Sequence, residues 1–141
     1  MTKYYLEDAE PGRGNIDYEL GFDKTIHSNE IDMAKWLNNT LGGNVLLISE
    51  RDDVKTPDFL WNEALWDLKT TTTAKAANSA IKSGMKQIKT NPGGIILDYG
   101  NNEFSLEELH KIIDLRMQWY PRDSADIMII ANGELIEVLR Y

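Results

Sequence analysis

Cysteine is absent from this chain of 141 residues, which excludes disulfides, thiolate nucleophiles and cysteine-ligated zinc. Histidine is almost absent. His27 and His110 stand alone, with no pair at H-x-x-x-H spacing, so a zinc held by histidines is disfavoured. No apolar run is long enough to cross a bilayer as a helix, and the opening MTKYYLEDAEPG lacks the apolar stretch of a secretory signal. A basic surplus is missing too: 15 Lys and Arg against 23 Asp and Glu give a formal net charge of -8. That argues against a general nucleic-acid binder, whose phosphate contacts draw on excess Lys and Arg. A local site of clustered lysines and a divalent metal on an acidic body is still compatible with it.

What is present fits one domain with its own core. Residues 1–27 are mixed, turn-rich and weakly periodic, and read as an N-terminal arm or lead-in to a domain over 28–141. In SNEIDMAKWLNNTLGG, Ser28 or Asn29 is available as a helix cap, and Ile31, Ala34, Leu37 and Leu41 fall at helical spacing before Gly42-Gly43. NVLLISE reads as a short buried strand. TPDFLW and ALWDLKT read as two strands joined at Asn62-Glu63. Thr73 caps a second helix that packs through Ala74, Ala77, Ile81, Gly84, Met85 and Ile88. NPGG breaks that helix ahead of a central strand, IILD. Ser105 and Glu108 form a capping box for a third helix, which Pro121 terminates. The chain closes on a hairpin turning at Asn132-Gly133. The order helix, three strands, helix, strand, helix, two strands predicts an α/β (α+β) fold around a mixed sheet.

The segment KTPDFLWNEALWDLKT carries the chemistry. With Asn62 and Glu63 as a two-residue turn, Trp61 pairs with Ala64, Phe59 with Trp66, and Asp58 with Asp67. Alternation then sends Phe59, Trp61, Trp66 and Leu68 to one face and Asp58, Asp67 and Lys69 to the other. Two opposed carboxylates repel unless something neutralises them. Hard oxygen ligands suit Mg²⁺ or Mn²⁺, with Lys69 placed to orient a water or offset charge on a phosphate. Glu30, at the start of the first helix, is a further acid. Two other arrangements satisfy the same residues: a structural ion-pair cluster around Lys69, or a hairpin register slipped by one. Lys75, Ser79, Lys82, Lys86 and Lys89 form a basic stripe on the second helix, fit either for phosphates or for plain solvation. Gln87 sits off that stripe, toward the sheet edge. The four tryptophans read as core, and Tyr4 and Tyr5 as exposed on the arm.

Pro57-Asp58 followed by Asp67-Leu68-Lys69 resembles the PD-(D/E)xK nuclease motif. The wider order of the hairpin, a basic helix, GGIILDY, another helix and ADIMIIANGELIEV is similar to the C-terminal tRNase domains of CdiA-type contact-dependent growth inhibition toxins. The resemblance covers about 30–138. It implies a PD-(D/E)xK-like central sheet flanked by helices and a metal-dependent nuclease that favours tRNA over DNA. Asp58 and Asp67 would ligate Mg²⁺ or Mn²⁺, with Zn²⁺ a further candidate. Lys69 and Glu30 would assist hydrolysis, and Thr70, Thr71, Lys82, Lys86 and Gln87 would contact substrate. It further implies delivery into a target-cell cytoplasm within a larger toxin and a cognate immunity protein; a stand-alone relative would instead be cytoplasmic. The acidic net charge departs from the pattern, and two other functions stay open: DNA cleavage, and a catalytically silent, immunity-like interaction module.

Overall fold

Strand and helix periodicities alternate along the chain as a layered α/β architecture requires. The computed structural model describes residues 1–51 and 56–141. In chain order the elements are α1 (Thr2–Glu7), β1 (Ile16–Tyr18), α2 (Ser28–Thr40), β2 (Val45–Leu47), β3 (Phe59–Trp61), β4 (Ala64–Thr70), α3 (Ala76–Ile88), β5 (Pro92–Asp98), α4 (Leu106–Met117), β6 (Asp126–Ala131) and β7 (Glu134–Arg140). The strands form one seven-stranded sheet in the order β1 to β7. β1–β2, β4–β5 and β5–β6 run parallel; the other neighbours run antiparallel. The predicted mixed sheet flanked by helices is the observed fold.

Two cores follow from strand alternation. Met33, Ala34 and Leu37 of α2 pack with Phe59, Trp61, Trp66, Ile96 and Met128 on one face. Ile81, Met85 and Ile88 of α3 and Leu109 and Ile113 of α4 pack with Ile95, Leu97, Ile127 and Ile129 on the other. Central strands covered on both faces read as unbroken apolar runs, which is why IILD and DIMIIA alternate in neither sequence nor burial.

The β3–β4 register is the predicted one, with Phe59 opposite Trp66, Leu60 opposite Leu65 and Trp61 opposite Ala64. Asn62 and Glu63 take φ of +50° and +69°, the left-handed pair of a type I′ turn. The turn is held from outside. Asn62 Oδ1 accepts from the Asn44 amide at 3.2 Å, and Asn91 Nδ2 donates to the Glu63 carbonyl at 2.7 Å. Asn132 and Gly133 make the second such turn.

Several expectations are corrected. The lead-in contains α1 and β1, and β1 joins the sheet edge beside β2. A three-residue strand has no period to recognise. Gly42 and Gly43 end α2 as expected, and they also receive that segment: a Cβ on Gly42 would lie 2.1 Å from the Glu10 carbonyl oxygen. α2 begins at Ser28 with His27 at the cap position and no side-chain cap bond, so neither Ser28 nor Asn29 caps it. α3 ends at Ile88 ahead of NPGG as expected, but β5 begins at Pro92, so Pro92-Gly93-Gly94 is already part of the strand expected over IILD. Both glycines lie against the Trp66 ring, where added Cβ atoms would come within 2.3 Å of Nε1 and 2.6 Å of Cζ3. Trp119 lies past the end of α4 and is 78% exposed, not core. Tyr5 is partly buried, donates to Asp126 Oδ2 at 2.5 Å and stacks on Trp61.

Glu63 is the strained member of the hairpin turn, since a side chain in the left-handed region costs energy that glycine avoids. Glu63→Gly retains the backbone carbonyl that Asn91 uses and should stabilise the fold by roughly 0.5–1 kcal/mol. The check is a denaturant midpoint that rises with an unchanged m-value; a midpoint that falls would contradict the turn geometry.

Candidate active site

The hairpin alternation delivers Asp67 and Lys69 from β4 into a cavity of about 500 Å³, also lined by Glu30, Glu50, Arg51, Thr56, Asp58, Leu68 and Gln87. Asp67 is only 1% exposed. Its Oδ2 lies 2.8 Å from Lys69 Nζ, yet it receives no hydrogen bond of regular geometry. With its amide nitrogen turned inward, Gln87 donates to Asp67 Oδ1 at 2.7 Å and to the Thr56 carbonyl at 2.8 Å. Gly84 lets α3 lie this close: its absent Cβ would fall 3.5 Å from Asp67 Oδ2 and 2.8 Å from Ile95.

Asp58 sits just ahead of β3 and continues its line. Its amide donates to the Trp66 carbonyl at 3.2 Å and its carbonyl accepts from the Ile48 amide at 3.0 Å. The side chain turns across the hairpin, and Oδ2 accepts from the Leu68 amide at 2.6 Å. Burial pushes the Asp58 carboxyl up to about 8, with the Asp67 charge and a hydrogen bond to Asp67 adding to the rise and the Leu68 amide opposing it. At neutral pH the aspartate pair therefore holds a proton on Asp58.

The structure brings Glu30, Asp58, Asp67, Lys69 and Gln87 to one cavity. Thr70 and Thr71 follow Lys69 but are not among its lining residues. Thr70 is exposed; Thr71 is buried and its amide donates to the Asp98 carbonyl at 2.9 Å. Lys82 and Lys86 are exposed on α3. They share α3 with Gln87 but are not among the lining residues of the cavity. Asp98 lines a different pocket with Asp32 and Trp36. Lys55, which opens the motif, lies outside the described residues. Sequence reasoning missed Glu50, Arg51 and Thr56, which come from an irregular segment without a period; the charge cluster ERDDVKT was the available signal. It also missed His27, which approaches Glu30 at 3.8 Å and Glu50 at 3.9 Å.

Among the described residues no three acid or histidine side chains converge as a metal cage. Two carboxylates are nevertheless the usual protein share for Mg²⁺, which keeps several waters and takes further oxygens from a phosphate. Asp67 Oδ2, which receives no regular hydrogen bond and has only the Lys69 ammonium beside it, and the neighbouring Asp58 carboxyl are hard oxygen donors of the kind such an ion would take. The residues fit a hard divalent ion better than zinc, which prefers a closed nitrogen or sulfur set.

The family described as contact-dependent growth inhibition CdiA C-terminal domain matches residues 55–136, more than half of the chain. Among curated proteins none matches. Among solved structures, the CdiA-CT/CdiI toxin and immunity complex from Burkholderia pseudomallei is similar to this chain at 17% identity and a TM-score of 0.53. The match covers 89% of this chain and 99% of that one; at such identity the likeness is one of fold.

Asp58 has a folded pKa of about 8 against an ordinary value of 3.8. A raised acid contributes its full stability below the ordinary value and loses it as pH climbs through the folded one. The metal-free protein should therefore lose thermal stability between about pH 4 and pH 8. Asp58→Asn mimics the protonated acid and should flatten that slope. Melting curves in EDTA across the range decide it, and an undiminished slope in D58N would count against the shared proton.

Proposed function

The chain belongs to the contact-dependent growth inhibition CdiA C-terminal domain family of toxin domains, and on that premise we propose that it is a metal-dependent nuclease of the PD-(D/E)xK type, cleaving tRNA in preference to DNA. The observation that carries the proposal is the convergence of Asp58, Asp67 and Lys69 in one open cavity, with Asp67 buried and incompletely satisfied. A purely structural ion pair has no use for a second buried carboxylate beside it, because each desolvated acid costs stability.

A Mg²⁺ or Mn²⁺ ion held by Asp58 and Asp67 supplies Lewis acidity toward a phosphate oxygen and toward water. The protein does the rest. Asp58 releases its proton to become a ligand, so cation binding is linked to pH. Gln87 fixes the Asp67 carboxylate through Oδ1, while Oδ2 lies beside Lys69 Nζ. Lys69, 23% exposed at its side chain, swings between Asp67 and the reacting centre, where its ammonium orients the attacking water or offsets charge on the phosphate. Glu30 stands across the cavity, where it acts through water or restrains Lys69. Thr70, Thr71, Lys82 and Lys86 prolong the site along β4 and α3, and the two exposed lysines offer phosphate contacts that the acidic body otherwise lacks.

The structural neighbour is a toxin and immunity complex, which supports a cognate immunity protein as partner here. Membership of the CdiA C-terminal domain family supports delivery into a target cell as part of a larger toxin. No described helix is long and apolar enough to cross a membrane.

Incubating the purified protein with total tRNA and with plasmid DNA, in Mg²⁺ or EDTA, tests the reading. Cleavage of tRNA should require the metal and fall by about two orders of magnitude or more in Lys69→Ala, with the circular dichroism spectrum retained. Plasmid cleavage alone would assign DNA as substrate. Cleavage of neither with Mg²⁺ or Mn²⁺ would leave the silent interaction module as the better account.

A further inference from the structure

Trp66 and Asp67 are neighbours on β4 and point to opposite faces of the sheet. On the Trp66 side lies a second cavity of about 520 Å³, formed where the β3–β4 turn, the start of β5, α1 and the approach to β6 meet. Its volume is within the range of sites that enclose a small molecule or a side chain with its backbone. It does not border the carboxylate cavity and depends on none of the nuclease residues.

Two polar groups inside it lack partners. Trp36 and Trp61 donate their indole N–H groups to the Gly133 and Gly42 carbonyls at 2.7 Å and 2.9 Å. Trp66, 3% exposed, makes no such bond among the described residues. Its Nε1 lies beside Gly93 on the cavity wall, where any Cβ would come within 2.3 Å of it. Ser124 Oγ, on the same wall, is buried without a partner. The Trp66 indole N–H is an unpaired donor on the cavity wall and the Ser124 hydroxyl a buried one, and a carbonyl oxygen is an acceptor that satisfies either.

The mouth is negative. Asp126 is already neutralised, bound by Arg140 at 2.8 Å and by the Tyr5 hydroxyl at 2.5 Å. Asp8 and Asp123 are exposed, and neither has an ion-pair partner among the described residues. Tyr4 and Trp61 supply the aromatic lining. Arg140 shows that this lining accepts a cation, since its guanidinium lies 5.9 Å from the centre of the Tyr4 ring. A phosphate-bearing ligand would be repelled here; a cation with an apolar stem and a neighbouring carbonyl would not.

We propose that this cavity binds a basic segment of a partner polypeptide, with an arginine or lysine side chain at Asp8 and Asp123 and a peptide carbonyl on the Trp66 indole N–H. The net charge of -8 favours the approach of such a partner from a distance.

The four indole N–H resonances of the ¹⁵N-labelled full chain give a direct readout. Titration with the blocked tripeptide acetyl-Ala-Arg-Ala-amide should move the Trp66 indole resonance downfield and saturate. The citrulline counterpart, which keeps the shape and loses the charge, should bind at least about fivefold more weakly. The Asp8→Asn/Asp123→Asn double variant should lose a similar factor for the arginine peptide, and asparagine tolerates the left-handed backbone at 123. Equal binding of the citrulline peptide, an unmoved Trp66 resonance, or a shift produced by a short RNA oligonucleotide but not by the peptide would each overturn the proposal. None of these outcomes depends on whether the chain cleaves nucleic acid.

Discussion

Burying the Asp67 carboxylate in the middle of a seven-stranded sheet sets the terms for everything around it. Strand β4 is covered by helices on both faces, so a residue whose side chain leaves one core enters the other layer. Asp67 is left 1% exposed, at the base of the cavity it lines. A lone carboxylate there would cost several kcal/mol. The chain meets this with Lys69 two residues along the same face, with a Gln87 donor from α3, and with Gly84, which brings α3 close enough for Gln87 to reach. Each of these features is weak evidence alone. Together they show that the acid is held in a defined orientation and is not merely tolerated.

Asp58 makes the arrangement more expensive, and therefore more informative. A second acid beside the first raises the cost of charging both, and the structure answers by keeping a proton on Asp58. A site optimised only for stability would have replaced that acid with an amide or an apolar residue. Lys69 cannot neutralise both carboxylates, which leaves one negative charge to be balanced by a proton or by a cation. That unresolved balance, and not the number of acids, is the physical content of the metal proposal.

Legibility in the sequence followed local regularity. The β3–β4 register could be read because a turn at Asn62-Glu63 separates Phe59, Trp61, Trp66 and Leu68 cleanly from Asp58, Asp67 and Lys69, even though Asn-Glu is a poor turn pair and a register slipped by one stayed open. The structure supplies what the dipeptide lacks, through the brackets from Asn44 and Asn91. The packing side of α3 was equally plain, down to Gly84. Features set by distant contacts were not legible. That Pro92-Gly93-Gly94 belongs to β5 is not evident until the Trp66 ring against it is known. β1 is too short to show a pattern, and Glu50 and Arg51 reach the cavity from an irregular segment. The exposure of Trp119 depends on where α4 ends, and helix ends are the least certain feature of periodic reasoning.

The acidic composition acquires a meaning once the two faces of β4 are considered together. On the Asp67 side, Glu30, Glu50, Asp58 and Asp67 line the cavity together with Arg51 and Lys69, and Lys82 and Lys86 are exposed on the neighbouring helix. Around the Trp66 cavity the unpaired acids stand at the mouth, with no described cation offsetting them. A nucleic-acid strand would meet its least repulsive path along α3, and a basic polypeptide would meet its most attractive one beside α1. Because electrostatic steering acts before contact, these local charges, and not the net surplus, sort the two kinds of partner proposed here onto opposite sides of a single strand.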